Sequence, residues 1–401
     1  MAGRVILPLN NIRVLDLTHG LAGPTATQIL ADLGAEVIKI ERPGKGDIFR
    51  ESALLGPSMF IPFNRNKRSV CIDLKRPMGR DLVLKLSSKC DVFVENLAPS
   101  STKKLGLDYE TIREINPRIV YCSITSFGSG PYEELPTFDP VIEAMSGFMS
   151  VTGFPPDKYV RAGVTFLDIM AGIIAVNGIL AALLRREKYG VGSYVEVSLA
   201  DIGLFTMSYW ITYYKEFGRV PEPIGQGSLA FGAPSRLFKL KDGYLYVAAL
   251  TDEHWERFCK ALGFEDLARD SRFRTAVDRA MGKSELEEEL AKKLASMGVK
   301  ETFEKLVKAR VPAGPLYTVK EVFEDPHFSQ RRLIKEHIYM GKIYYAPITP
   351  LKIGNKYVAD QGTVPSLGEH TKDVLTELLG ISGSELEILK KDGVIWYPPQ
   401  P

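Results

Sequence analysis

At 401 residues, 45% of them hydrophobic, the chain has material for two domains with substantial cores. Fifty-one basic against 49 acidic residues leave a formal charge of +2, which excludes the broad basic field of a nucleic-acid binder and makes any anion site local. The four cysteines, Cys71, Cys90, Cys122 and Cys259, form no C-x-x-C pair and the first apolar run is too short for a signal peptide, so a reduced, cytoplasmic protein without disulfides or zinc is expected.

The run RVLDL (13–17) reads as a strand, followed by the turn Thr18-His19-Gly20-Leu21-Ala22-Gly23, a helix opening at Pro24 and the strand AEVIKIE (35–41). This is a βαβ unit whose helix N-terminus can receive an oxyanion. Only G-x-x-G stands at its turn, so the dinucleotide fingerprint is not met despite Glu41 at the ribose-binding spacing. The stretches ERPGKGD and NRNKRS set Arg42, Lys45, Arg65, Lys67 and Arg68 in loops. They are either solvated charge or a phosphate site at the carboxyl ends of strands. Strands over 69–74, 91–96 and 118–124 alternate with helices over 79–86 and 99–117, the latter broken at Gly106. That alternation predicts an α/β fold, a mostly parallel Rossmann-like sheet with helices on both faces.

Glycine, proline and serine dominate 127–163, a texture that builds sites beside parallel sheets, though Gly128-Ser129-Gly130 is not a serine-nucleophile elbow. The next run, VTFLDIMAGIIAVNGILAALL (164–184), holds a single ionisable group, Asp168. It reads as a membrane span, as a core helix buried on all sides with Asp168 as its N-cap, or as that helix with a chemically active carboxylate. A strand over 194–199 and a helix over 201–217 follow, and the Pro/Gly-rich stretch 220–234 marks a boundary. Beyond it a hairpin turning at Asp242-Gly243 and helices over 252–262, 283–296 and 300–309 form a small α+β domain. The expected division is a large α/β domain over 1–219, the small domain over 220–316, and a segment over 317–401 whose last helix returns to the large domain.

Taken in order, VLDLTHGLAGPTATQILADLGAEVIKIERPGKGD, NRNKRSVCIDLKRPMGRDLVLKLSSKCDVFVEN, FDPVIEAMSG, PHF and LGEHT resemble the class III CoA-transferases and the related α-methylacyl-CoA racemases. The resemblance covers nearly the whole chain. It implies an interlocked homodimer, each subunit threaded through the other, with CoA on the α/β domain. Asp168 sits where that family places its catalytic aspartate. Arg42, Arg68, Asn96 and Lys104 match the CoA-binding positions, with Lys67, Leu97 and Leu105 beside them. His19, Gly20, Leu21 and Ala22 line the thioester position, and Phe138 and Asp139 complete the acyl site. No metal and no tightly bound cofactor are implied, since CoA is part of the substrate; the partners are acyl-CoA, free carboxylic acids and a second copy, without nucleic acid or membrane.

The chemistry suits one carboxylate and few histidines, because the transferred acids are already nucleophilic and need no general base. Asp168 would attack the donor thioester, forming a mixed anhydride that the released thiolate converts to an aspartyl-CoA thioester. N–H groups in the 20–22 turn would stabilise the oxyanions by about 3 kcal/mol each. A racemase needs two acid/base groups, and the histidine that racemases carry before the position of Asp139 is replaced by Phe138, so transfer is expected. The alternatives are that racemase and a non-catalytic CoA-binding subunit. The oxalate-using branch carries glutamine where Leu21 stands and a glycine run where GQGSLAFGAP stands, so oxalate is disfavoured; the 225–232 loop reads as a lid or a plain linker. His19 reads as a turn residue or a substrate contact, and Asp139 and Glu143 as caps or acyl-site groups.

Overall fold

The computed structural model describes residues 7–51, 54–227, 232–360 and 362–399. Short β-branched runs alternate with amphipathic helices in β1 (Arg13–Leu17), α1 (Ala22–Asp32), β2 (Glu36–Glu41), β3 (Arg68–Ile72), β4 (Val92–Glu95) and β5 (Val120–Thr125). After them come α2 (Asp139–Met145), α3 (Phe166–Tyr189), β6 (Ser193–Ser198), α4 (Leu199–Thr206) and, near the C-terminus, β7 (Ile395–Trp396). The seven strands form one sheet in the order β7-β3-β2-β1-β4-β5-β6. Every pairing is parallel except that of β7 with β3. The central strands are nearly all apolar because helices cover both faces. The chain winds outward from β1 through β2 to β3, then restarts on the other side of β1 with β4. The carboxyl ends of β1 and β4 therefore open a crevice at the point where the order reverses.

One face of the sheet is covered by α1 and α3, the other by the helices Pro77–Ser87 and Thr371–Leu379. Along α3, Leu167, Ala171, Ala175 and Ile179 are buried, while Leu184 is 73% exposed and Ile173 is also exposed. The helix is long and apolar enough to cross a membrane, but its inner stripe packs on α1, β5 and β6. The expectation that it is buried on all sides is corrected: the exposed residues Ile173, Asn177, Ala181 and Leu184 recur at helical spacing, so one face of the helix packs on the sheet and the opposite face is open to solvent.

Two compact units divide the described chain. The first takes the residues up to Phe148, Arg161–Glu216 and those from Gln330 onward; the second takes Met149–Val160 and Phe217–Ser329. This moves the expected 220–316 boundaries. Met149–Val160 joins the second unit through its small hairpin, Gly153–Phe154 against Lys158–Tyr159, whose Gly153 carbonyl accepts the Gly225 N–H. That unit is an antiparallel sheet of Ser235–Leu240, Gly243–Ala248 and Ala313–Pro315 packed on helices Asp252–Leu262, Lys283–Leu294 and Val299–Lys308. Leu240 pairs with Gly243, so the hairpin turns at Lys241-Asp242, one residue earlier than expected. Residues 228–231 of the 225–232 loop lie outside the described residues. At the other end, Thr371–Leu379 docks on β3, the Thr371 hydroxyl accepting the Cys71 N–H at 2.9 Å.

Candidate active site

Asp168 is the third residue of α3, not its cap; the N-cap is Thr165, whose side chain makes no capping bond. The donors that a cap would satisfy are satisfied from another helix. Asp139, in the first turn of α2 and 2% exposed, accepts the Leu167 N–H at 2.8 Å and the Asp168 N–H at 3.0 Å through Oδ2. One turn further along α2, the fully buried Glu143 accepts the Ala162 N–H at 2.9 Å. Two acids four residues apart on one face of a short helix thus hold both the approach to α3 and its first turn. The Asp168 side chain accepts no hydrogen bond among the described residues. Burial, and after it the charge of Asp139, push its carboxyl up to about 7. A carboxylate so poorly solvated is a functional-site candidate on physical grounds.

Gly172, one turn beyond Asp168 on the same face, marks where α1 meets α3. A Cβ at Gly172 would lie 2.7 Å from the Ala22 carbonyl oxygen and from the Thr25 side chain, so only glycine permits this approach. The first turn of α1 therefore lies against the face of α3 that carries Asp168. No side chain caps α1, Pro24 has no N–H, and the N–H groups of Ala22 and Gly23 have no acceptor among the described residues. These are the donors open to a developing oxyanion. Gly20 differs from expectation. It makes the turn at φ +77°, and its N–H points at Asp47 Oδ1, 3.4 Å away. The turn is clamped by Asn96, which accepts the His19 N–H at 3.0 Å and donates to the His19 carbonyl at 2.8 Å. Asn96 thus holds the turn. Burial lowers the pKa of His19, keeping the imidazole neutral.

Beneath the turn lies a wholly buried set of charges. Asp16 of β1 stands opposite Lys39 of β2, and Lys67 reaches Asp16 at 3.1 Å, Thr27 at 2.7 Å and Asn64 at 3.0 Å. Lys39 contacts Asp47 at 3.0 Å and donates to the Thr18 carbonyl at 2.7 Å. Burial would raise Asp16, but Lys67 and Lys39 outweigh it and hold the carboxyl at about 2. Lys67 is therefore a structural cation and not a phosphate contact. Arg68 is corrected too: it opens β3 at the amino edge of the sheet and bonds Glu36 at 2.7 Å and Glu377 at 2.8 Å. A strand of five residues spans about 16 Å, so Arg68 and Arg42 face opposite edges.

At the carboxyl edge two clefts share Ile40, Glu41 and Arg42. The larger, 690 Å³, runs from Thr18 and His19 past Arg42 and Lys45 to Leu97. The smaller, 390 Å³, is lined by Arg42, Lys75, Lys104 and Leu105. Arg42, Lys45, Lys75 and Lys104 are exposed and paired with no acid among the described residues, so the two clefts together present four uncommitted cations; the smaller is mainly apolar, and the larger mixes Leu17, Ile40, Ile48 and Leu97 with Glu41, Asp47 and Glu51. Of the expected CoA contacts, the structure gathers Arg42, Leu97, Lys104 and Leu105 here and removes Lys67 and Arg68. Lys75 was not anticipated; its position just past the end of β3 was the signal that could have found it.

The family model of CoA-transferase family III matches residues 9–371. The chain belongs to that family. Its relatives include the succinate–glutarate CoA-transferase of Agrobacterium fabrum, 36% identical over 92% of this chain and 96% of that protein. The succinyl-CoA–D-citramalate CoA-transferase of Chloroflexus aurantiacus is 35% identical over 97% and 98%. Among solved structures, a CaiB/BaiF family protein from Brucella suis superposes with a TM-score of 0.85 at 33% identity, covering 93% of this chain and 99% of that one. This family III enzyme is a CoA-transferase. In it, Phe138 stands at the N-cap of α2 and is 75% exposed, directly before the buried Asp139.

Proposed function

We propose that Asp168 is the nucleophile of this CoA-transferase and carries CoA as an aspartyl thioester from an acyl-CoA to a free carboxylic acid. The observation that supports it is a carboxylate without hydrogen bonds, set between the open N–H groups of α1 and the capped first turn of α3. Asp168 attacks the thioester carbonyl, the C–S bond breaks, and a mixed anhydride and CoA thiolate result. The thiolate attacks the Asp168 carbonyl and expels the donor acid as a carboxylate. The acceptor carboxylate then attacks the aspartyl thioester, and the thiolate, released again, takes the acceptor acyl group and frees Asp168. No step consumes or makes a proton, which suits a site whose histidine is neutral. The Ala22 and Gly23 N–H groups stabilise each tetrahedral oxyanion.

Arg42, Lys45, Lys75 and Lys104 take the phosphates of CoA, the two cleft floors take its apolar parts, and no tightly bound cofactor takes part. The relatives named above act on short dicarboxylates, and we read four- and five-carbon dicarboxylic acids as the first acids to test. Phe138 supplies no second proton acceptor, so racemisation is not favoured. We further read the chain as an interlocked cytoplasmic homodimer free of membrane and nucleic acid, its apolar Leu184, Phe205 and Tyr209 covered by the second copy. The deciding experiment incubates the protein with succinyl-CoA, adds hydroxylamine and sequences the modified peptide by mass spectrometry. Hydroxamate on Asp168, absent from Asp168→Asn, is the expected result, with transfer in that variant down by at least about 10³-fold. Deuterium wash-in at the α-carbon of a 2-methylacyl-CoA without acyl exchange would overturn the reading.

A further inference from the structure

The carboxyl pair on α2 carries an inference beyond the nucleophile. Asp139 Oδ1 and Glu143 Oε1 are both buried, and neither meets a donor. Their other oxygens are engaged, Asp139 Oδ2 by two N–H groups of α3 and Glu143 Oε2 by the Ala162 N–H. Four residues apart in α2, the two buried side chains project from the same face of the helix. Two bare carboxylate oxygens buried on one helix face away from water are costly, and a single proton shared between the two groups satisfies both. Asp139 already accepts two N–H bonds, whereas Glu143 accepts one, so Glu143 is the member with more room to act as the donor.

We infer that Glu143 is a carboxylic acid at neutral pH, donating its proton to Asp139 so that Asp139 keeps its place as the cap of α3 and Asp168 stays in place. Glu143 is thus a positioning residue that acts through Asp139. Burial, and after it the contact with Asp139, raise its carboxyl above the ordinary range; the Ala162 N–H and the Arg161 charge oppose this. The charged groups around it are few. Asp139 shares its helix, exposed Arg161 lies in the segment before α3, Asp168 opens α3, and the one ionisable side chain of α4, Asp201, is exposed to solvent. None is a buried cation that would hold Glu143 ionised. The inference rests on the nucleophile reading for its consequence in catalysis but not for the proton itself.

The proton is read directly by infrared difference spectroscopy of the whole chain in an Asp168→Asn background, so that Asp168 contributes nothing. At pH 7 that protein shows a protonated-carboxyl C=O stretch that Glu143→Gln abolishes; buried Glu95, whose carboxyl burial also raises, cancels in the difference. A spectrum unchanged by Glu143→Gln overturns the inference whether or not Asp168 is the nucleophile. With Asp168 intact, Glu143→Leu slows single-turnover CoA release from acyl-CoA by about 10²-fold through misplacement of the carboxylate. Glu143→Gln, which keeps a donor toward Asp139, restores the rate and leaves the acidic limb of the pH–rate profile where the wild type has it. If that limb moves to lower pH in Glu143→Gln, a negative charge has been removed and Glu143 was ionised, which overturns the inference. Full activity in Asp168→Asn would instead sink the nucleophile reading alone.

Discussion

Two buried clusters of ionisable side chains flank the crevice, and they are built on opposite principles. Under the His19 turn, Asp16 and Asp47 are matched by Lys67 and Lys39, each ammonium in contact with a carboxylate. Between α2 and α3, Asp139, Glu143 and Asp168 have only backbone N–H groups and one another. The matched cluster holds Asp16 well below the ordinary carboxylate range, and the unmatched one pushes Asp168 well above it. A balanced set of buried charges pins the Thr18–His19 turn that leads into α1. An unbalanced set leaves one carboxylate poorly stabilised, which is the condition for reactivity.

Breaking the matched cluster has the largest expected effect on stability. Lys67→Met leaves Asp16 buried without its closest cation and costs about 3–5 kcal/mol in denaturant unfolding. Adding Asp16→Asn to that variant recovers part of the loss, because the orphaned charge is gone; a strictly additive double variant would contradict the pairing.

Breaking the unmatched cluster has the opposite sign. The folded-state pKa of Asp168 is raised from 3.8 to about 7, so its contribution to stability is present below pH 3.8 and is lost as pH rises through 7. Asp168→Asn is free of that loss. Its melting temperature should therefore exceed that of the wild type by a margin that grows from pH 4 to pH 7 and then levels. The limit is about 4 kcal/mol, reduced because solvent reaches part of the carboxyl. A constant margin across this range would show that Asp168 titrates normally.

The smallest effects sharpen the comparison at the sheet edges. Arg42→Ala or Lys104→Ala should raise the KM for acyl-CoA about tenfold while leaving kcat nearly unchanged, as loss of uniform binding does. Arg68→Ala, whose pairs with Glu36 and Glu377 are partly exposed, should leave KM alone and cost under about 1 kcal/mol of stability.

Much of this was legible in the chain. The βαβ alternation and the lone acid of the apolar run both came from local pattern and the structure retains each, while the helix expected to open at Pro24 begins two residues earlier, at Ala22. The errors have physical causes. Arg42 and Arg68 look alike in sequence, but in a parallel sheet the chain leaving β2 must travel back to the amino edge before β3 begins. Residues early in that loop therefore face the ligand edge and residues at its end do not. Lys67 was read as a loop cation because nothing local says that Asp16, 51 residues away, takes it into the core. Asp168 was read as a possible cap because a carboxylate beside a helix start is the local signature of one.

The sequence by itself determined the fold class, the family and the identity of the one carboxylate in an apolar helix, because these depend on periodicity and on residues close together in the chain. The tertiary structure alone decided the surroundings of Asp168. The first turn of its helix is capped by Asp139, 29 residues earlier, and the open N–H groups of Ala22 and Gly23 belong to a helix that only Gly172 allows to approach. The proton that we assign to Glu143 likewise follows from two buried oxygens left without donors. Burial and contact set the charge state of a carboxyl, and neither is written in the order of residues around it.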